Sequence, residues 1–140
     1  MIVADASLAV KWYADEKYSE IAENWLAENA AEIIVPDIFV NEVIGALVRH
    51  ANIDKALRED SEVSIARFTA LFDDGWITAH RLPMSQVASA AQTAMTIGHP
   101  LKDCLYLALA MDQGCDLVTC DAKFAGKARA VWERVQVLGE

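Results

Sequence analysis

Long apolar runs are missing from this sequence. No stretch of about eighteen uncharged apolar residues occurs, which argues against a transmembrane helix. Residues 1–5, with the sequence MIVAD, also lack the basic segment and apolar core of a secretory signal. We therefore expect a soluble, cytoplasmic protein with no membrane partner.

Cysteine is scarce as well. Cys104, Cys115 and Cys120 are odd in number, show no C-x-x-C spacing and stand among apolar residues. This pattern excludes a disulfide framework and gives no sign of a zinc site. We interpret the three thiols as reduced packing residues, which is compatible with a reducing compartment.

Basic residues are few, and 21 acidic against 12 basic residues give a formal net charge of -9. Such a balance argues against a nucleic-acid partner, because phosphate binding normally needs a basic surface. The objection weakens if several carboxylates belong to a metal site, where bound cations reverse the local charge. Otherwise the acidic residues serve mainly to keep the protein soluble.

The length of 140 residues, 54% of them hydrophobic, suits one domain over residues 1–140. Short β-branched runs alternate with helical periodicity, which predicts an α/β fold. Because helices separate the strands, we expect a doubly wound, mostly parallel sheet with helices on both faces. The predicted strands are 2–4, 33–35, 76–82, 116–119 and 135–138, and the predicted helices are 7–13, 18–26, 37–47, 54–72, 85–97, 100–111 and 122–130.

The third and fourth predicted helices form one hairpin. Asp37 is the expected cap of the first, and Val63, Ala66 and Leu71 are the expected buried positions of the second. The many apolar residues of this hairpin have two interpretations. They offer a groove for an amphipathic partner helix, or they pack against the protein's own core or form a homodimer.

Two acids follow predicted strands directly. Asp5 comes after the first strand and Asp121 after the fourth. In an open parallel sheet the ligand crevice lies beyond the carboxyl ends of the strands, so both carboxylates face it if these strands are neighbours. The alternative for each is an ordinary helix N-cap.

Two further acids interrupt apolar helices. Glu42 stands between Val40 and Val43, and Asp103 lies in the first turn of a helix that is otherwise apolar. A buried carboxylate needs a partner or a metal, and the helix N-terminus favours Asp103 as an anion. A capping or solvent-facing role remains open for both.

Four segments carry a family resemblance: residues 5–12 (DASLAVKW), 36–43 (PDIFVNEV), 103–110 (DCLYLALA) and 119–124 (TCDAKF). In this order and at these separations they resemble the four motifs of PIN-domain proteins, and most of all those of the VapC toxins of bacterial toxin-antitoxin pairs. The resemblance spans nearly the whole chain.

The resemblance implies a PIN-like doubly wound sheet and a magnesium- or manganese-dependent endoribonuclease that forms homodimers and is inhibited by a VapB-like antitoxin. The family's acidic quartet corresponds to Asp5, Glu42, Asp103 and Asp121, and its hydroxyl to Thr119. It leaves the RNA substrate unspecified.

The sequence departs from the family at Lys123, where many relatives have Asp or Asn, so one metal or two remain possible. Lys123 is either a contact to a substrate phosphate or a solvated surface lysine. Lys11 and Lys102 flank the same predicted crevice and have the same two interpretations.

Simple electrostatics leads from the quartet to a cation. Two carboxylates about 4 Å apart repel by about 4 kcal/mol at an effective dielectric constant near 20. We expect Asp5 and Asp103 as direct ligands of Mg²⁺ or Mn²⁺, with Asp121 and Glu42 binding directly or through water. Metal-activated water would then attack the phosphodiester, and Glu42 would accept its proton.

Other enzyme classes fit less well. A phospho-receiver domain needs an acid pair after the first strand, and a haloacid-dehalogenase phosphatase needs an acid where Ser7 stands. His50, His80 and His99 have no metal-ligand spacing, and no P-loop or G-x-S-x-G motif occurs. The remaining alternative is a non-enzymatic PIN-like module that binds RNA or protein.

Overall fold

Five strands form one sheet in residues 1–139, the part of the chain that the computed structural model describes. They are β1 (Ile2–Ala4), β2 (Ile33–Pro36), β3 (Ile77–His80), β4 (Asp116–Thr119) and β5 (Val135–Val137). Their spatial order is β3-β2-β1-β4-β5, and every neighbouring pair is parallel. Val3 pairs with Ile34 on one side and with Leu117 on the other, so β1 is central.

Seven α-helices connect these strands within residues 1–139. They are α1 (Ala6–Val10), α2 (Ser19–Glu28), α3 (Ile38–Ile53), α4 (Arg58–Asp73), α5 (Met84–Ile97), α6 (Leu101–Gln113) and α7 (Ala122–Ala128). A single 3-10 turn, Lys55–Leu57, separates α3 from α4. No helix in this part of the chain is both long and apolar enough to span a bilayer.

The chain winds in two directions from the centre of the sheet. It proceeds outward from β1 to β2 and β3, crosses back past β1 to β4, and continues to β5. Right-handed crossovers therefore place helices on both faces, which confirms the predicted doubly wound α/β fold. The direction reverses between β1 and β4, where open sheets of this kind bind their ligands.

The core fixes the helices that carry the candidate acids. Phe39 of α3 packs 5.7 Å from Phe68 of α4 and 6.4 Å from Tyr106 of α6, measured between ring centroids. All three rings are almost completely buried. Offset and edge-on aromatic packing of this kind adds to the stabilisation from burial, so α3 and α6 are held firmly beside each other.

The buried face of α4 differs from the prediction. Val63 is 50% exposed, Ala66 is exposed and Leu71 is half-buried, whereas Ser61 and Phe68 are buried. A spacing of seven residues puts Ser61 and Phe68 on one helix face, and this face contacts the core. The helix also starts later than predicted, because the 3-10 turn takes up the first residues.

Two local expectations were wrong. Asp37 stands before α3 with helical φ and ψ angles of −61° and −23°, and its side chain accepts no capping hydrogen bond. A capping residue needs extended backbone, so Asp37 does not fill that role. Helix α1 ends at Val10 rather than at residue 13, because residues 11–13 form a turn.

The three cysteines are free, and Cys104 and Cys115 are buried, as packing residues should be.

Candidate active site

Asp5 lies at the carboxyl end of β1 and caps α1. Its Oδ1 accepts hydrogen bonds from the Leu8 backbone N–H at 3.2 Å and from the Ser7 hydroxyl at 2.6 Å. Its Oδ2 accepts a hydrogen bond from the Thr119 hydroxyl. The residue is only 4% exposed, so the structure combines both sequence interpretations: Asp5 is a helix cap and also a buried acid beside the sheet's switch point.

Burial dominates the acidity of this carboxyl group. It raises the pKa of Asp5 from 3.8 to about 6, against the opposing effect of the hydrogen bonds from Ser7, Thr119 and Leu8. The negative charge of Asp103 raises the pKa slightly further. Asp5 is thus harder to ionise than an exposed Asp, and a nearby cation would stabilise its anion.

Hydroxyl groups connect the ends of β1 and β4. The Thr119 Oγ1 accepts the Asp121 backbone N–H at 3.0 Å, and the Ser7 Oγ accepts the Cys120 N–H at 3.1 Å. Thr119 has no exposed surface. In this position its hydroxyl orients Asp5, and its predicted contact with substrate stays a prediction.

Asp121 also has both of its expected roles. Its Oδ1 accepts the Phe124 backbone N–H at 3.0 Å and so caps α7. The residue is half-buried and lines the same cleft as Asp5. Capping uses one carboxylate oxygen, which leaves the second for another ligand.

Glu42 is held by a neighbouring helix. The Tyr106 hydroxyl donates to its Oε1 at 2.7 Å, and Lys102 Nζ lies 3.6 Å from its Oε2. Tyr106 is 1% exposed. Its pKa lies well above the usual value, because burial disfavours the phenolate and the hydrogen bond to Glu42 needs the proton. Tyr106 is therefore a constant donor that fixes Glu42.

Asp103 is held from the loop that precedes its own helix. His99 Nε2 lies 2.6 Å from Asp103 Oδ2, and the two side chains are 8% and 23% exposed. This contact was not predicted from the sequence, where His99 was considered only as a metal ligand. His99 precedes the start of α6 at Leu101, so the i,i+4 pairing rule for helices gives no signal for it.

The four predicted acids line one cleft of about 250 Å³. Its lining comprises Asp5, Ala6, Ser7, Val10, Glu42, Arg49, Lys102, Asp103 and Asp121. Arg49 was missed in the sequence analysis, although it follows Glu42 by two helical turns and so shares its face of α3. Helices α1, α3 and α6 form the walls of the cleft, and the residues that follow β1 and β4 at the switch point form its floor.

The other predicted lysines lie outside the cleft lining. Lys11 Nζ contacts Glu16 Oε1 and the Lys17 carbonyl, each at 3.1 Å. Lys123 is exposed on α7. Lys102 and Arg49 are thus the cationic residues that the structure brings to the acids.

The carboxylates suit a hard divalent cation by their chemistry, since Mg²⁺ and Mn²⁺ prefer oxygen ligands. Asp103 and Asp121 each use a single carboxylate oxygen for the hydrogen bonds found in residues 1–139. As the side chains stand, no three His, Cys, Asp or Glu residues in that range form a group that could hold an ion. Metal binding by this donor set would therefore require side-chain movements.

Comparison with known proteins gives one family. The model of the PIN domain family matches residues 2–130. Comparison with curated proteins gives no significant match.

Solved structures share the fold, among them the following three. One is VapC20 of Mycobacterium tuberculosis, a toxin that cleaves the sarcin-ricin loop, with a TM-score of 0.72, 11% identity and coverage of 90% of this chain and 94% of that one. A toxin-antitoxin complex from Klebsiella pneumoniae has a TM-score of 0.68, 12% identity and coverage of 98% and 97%. FitAcB from Neisseria gonorrhoeae has a TM-score of 0.64, 21% identity and coverage of 91% and 93%. At these identities the likeness concerns the fold.

Proposed function

Because the chain belongs to the PIN domain family, we propose that it is a metal-dependent endoribonuclease and the toxin of a VapC-type toxin-antitoxin pair. The observation that carries this proposal is the single cleft lined by Asp5, Glu42, Asp103 and Asp121 at the switch point of the sheet. The similarity in fold between this chain and VapC20, a toxin that cleaves the sarcin-ricin loop, supports the same assignment.

In this proposal Asp5 and Asp103 bind the cation directly, and Asp121 and Glu42 bind it directly or through water. When bound, Mg²⁺ or Mn²⁺ supplies Lewis-acid activation of water and of the phosphodiester. The raised pKa of Asp5 is compatible with this assignment, because a bound cation would offset the cost of burying its carboxylate charge.

The chain's own residues do the remaining work. Glu42 accepts the proton of the attacking water, with Tyr106 keeping its carboxylate in one orientation. Lys102, whose side chain is 61% exposed and whose contact with Glu42 is long, is free to turn towards a substrate phosphate. Arg49 supplies a second cationic contact from α3, and its planar guanidinium suits a phosphate. Three further residues remain proposed substrate contacts, although they do not line the cleft: Lys11, Lys123 and Thr119.

The direct test is RNA cleavage by the purified chain. We expect endonucleolytic products in Mg²⁺ or Mn²⁺, none in excess EDTA, and recovery of cleavage when the metal is restored. Cleavage of equal rate in EDTA would exclude the metal from the mechanism. A contaminating nuclease is excluded by the parallel preparation of an Asp103→Asn variant.

A second candidate function is a non-enzymatic PIN-like module that binds RNA or protein. It is favoured by the absence, in residues 1–139, of a ready-made group of three metal ligands. RNA binding without any cleavage, together with no measurable affinity for Mn²⁺, would support this module over the nuclease.

A VapB-like antitoxin is the proposed protein partner. Helices α3 and α4 enclose a groove of about 460 Å³ whose lining includes Val48, Ala51 and Ile65. An amphipathic helix can occupy such a groove through apolar residues at i, i+3, i+4 and i+7. Arg49 follows Val48 directly and lines the acidic cleft, so the groove lies next to the acids. An antitoxin arginine could then displace metal by charge-assisted hydrogen bonds.

Coexpression with the adjacent reading frame tests this partner. We expect copurification at moderate salt and loss of RNA cleavage in the complex. Val48→Asp should weaken the complex, whereas Met95→Asp on α5, an exposed apolar position that does not line the groove, should not. A protein from the adjacent reading frame that binds without inhibiting cleavage would overturn the displacement mechanism.

We also propose that the chain forms homodimers. Light scattering of the same preparations measures its oligomeric state.

A further inference from the structure

His99 lies in the short connection between α5 and α6, and its backbone is held from two sides. Gly98 ends α5 in the left-handed conformation, with φ of 66°, and the His99 N–H then donates to the Ala94 carbonyl at 3.0 Å. From α7, Lys127 Nζ donates to the Gly98 carbonyl at 2.7 Å. These contacts restrict the positions that the imidazole ring can take.

The ring itself is enclosed. Its side chain is 8% exposed, and it lies against the Phe124 ring with centroids 4.8 Å apart and planes tilted by 30°. Within residues 1–139, Nδ1 has no hydrogen-bond partner, whereas Nε2 lies 2.6 Å from Asp103 Oδ2. The proton of the ring therefore belongs on Nε2, where it has an acceptor.

Phe124 connects this contact to the next acid of the cleft. Its ring packs on His99, and its backbone N–H donates to Asp121 Oδ1 at 3.0 Å. One residue of α7 therefore supports the imidazole that holds Asp103 and also holds Asp121. The stacked pair ties two acids from different helices into one arrangement.

We propose that His99 is the positioning residue of Asp103: it holds one carboxylate oxygen so that the other stays available to a divalent cation. The inference rests on the proposed function. Asp103 stands in the exposed first turn of α6, where its side chain would otherwise sample several rotamers. Partners that orient metal ligands in this way typically affect metal affinity by about 10- to 100-fold when removed.

The test measures Mn²⁺ affinity of the full chain by isothermal titration calorimetry, without RNA. His99→Phe keeps a ring to pack on Phe124 but removes the donor, so we expect binding to weaken by about tenfold or more. His99→Gln should restore most of the affinity, because its amide nitrogen reaches about as far as Nε2. His99→Asn is the matched control, since its shorter amide falls short of Asp103. Circular dichroism and thermal unfolding report whether each variant is folded.

A double-mutant cycle separates positioning from a general structural effect. If His99 acts through Asp103, adding His99→Phe to Asp103→Asn should weaken Mn²⁺ binding no further. Independent, additive losses would overturn the proposal, as would wild-type affinity in folded His99→Phe. If His99→Phe does not fold, equal affinities of the Gln and Asn variants overturn it instead. If the wild-type protein neither binds Mn²⁺ nor cleaves RNA, the proposed function itself is refuted. If the wild type does both and the His99 variants bind Mn²⁺ with the same affinity, only the positioning role is refuted.

Discussion

At Asp5, burial and hydrogen bonding have opposite effects on the pKa of the carboxyl group. The pKa of its carboxyl group is raised to about 6 in the folded protein, above the 3.8 of an exposed Asp, mainly by burial. A raised carboxyl pKa means that folding favours the protonated form. The contribution of Asp5 to stability is therefore complete below about pH 3.8 and is lost as the pH rises through about 6.

Asp5→Asn tests this sign in metal-free protein. Asparagine has the same shape without the charge, so we expect the variant to gain stability over the wild type by about 2–3 kcal/mol as the pH rises from 4 to 7. Urea unfolding in EDTA at several pH values measures the difference. A stability difference between the two proteins that does not change with pH would contradict the assigned pKa.

Tyr106 acts on Glu42 through one hydroxyl group, and Tyr106→Phe removes only that group. Since the phenyl ring keeps its place in the core, we expect a small loss of stability, about 1 kcal/mol for one hydrogen bond. If Glu42 is the proton acceptor, kcat for RNA cleavage should fall by about tenfold, while Mn²⁺ affinity stays near that of the wild type. Unchanged kcat would mean that Glu42 needs no orientation by Tyr106.

At the scale of elements, the cleft lies where several helices meet, and its lining contains both acidic and basic side chains. The acids come from the starts of α1, α6 and α7 and from the second turn of α3, where strand ends and helix N-termini meet. Arg49 and Lys102 contribute positive charge from α3 and α6. Under the proposed function, an RNA strand would present its scissile phosphate to the acids while Arg49 and Lys102 contact neighbouring phosphates.

The salt dependence of RNA binding tests which cations contact the substrate. Removing one phosphate contact reduces the slope of log K against log salt by about 0.7 for single-stranded RNA. We expect this change for Arg49→Ala, measured by fluorescence anisotropy in the Asp103→Asn background to prevent cleavage. Lys123→Ala should change the slope equally if the RNA path continues along α7. An unchanged slope for either variant identifies that side chain as solvated.

Strand positions and the mostly parallel sheet were predictable, because short β-branched runs alternate with helical segments and parallel connections leave few topologies. The pairing of β1 with β4 was only a condition of the predicted site, and the structure supplies it. The burial of Phe68 rather than Val63 could not be predicted in this way. The apolar stripe of α4 is weak, and the face that α4 buries depends on the contact of Phe68 with Phe39 across the hairpin. The His99 and Tyr106 contacts were also missed. Both depend on the packing of α6 against a loop or a helix that sequence spacing does not orient.

For the whole molecule, the net charge of -9 and an RNA substrate are compatible only if charge is arranged locally. Much of the negative charge lies in exposed helices away from the cleft, for example at Glu20, Glu23 and Glu28 of α2. In the proposed function, the four carboxylates of the cleft would need a divalent cation to accept a phosphodiester, because the anionic substrate would otherwise meet like charge. The proposed metal dependence and the proposed RNA cleavage therefore stand or fall together.

The measurement that tests this account most directly is single-turnover RNA cleavage by the wild type and by Asp103→Asn at saturating Mg²⁺. The substitution removes one ligand charge at nearly constant volume, and circular dichroism verifies the fold. We expect metal-dependent cleavage by the wild type and less than about a tenth of that rate for the variant, because the loss of a ligand charge weakens the cation site. A tenfold loss of rate corresponds to about 1.4 kcal/mol of activation free energy. Equal cleavage by the two folded proteins would contradict the acidic cleft as the site of catalysis.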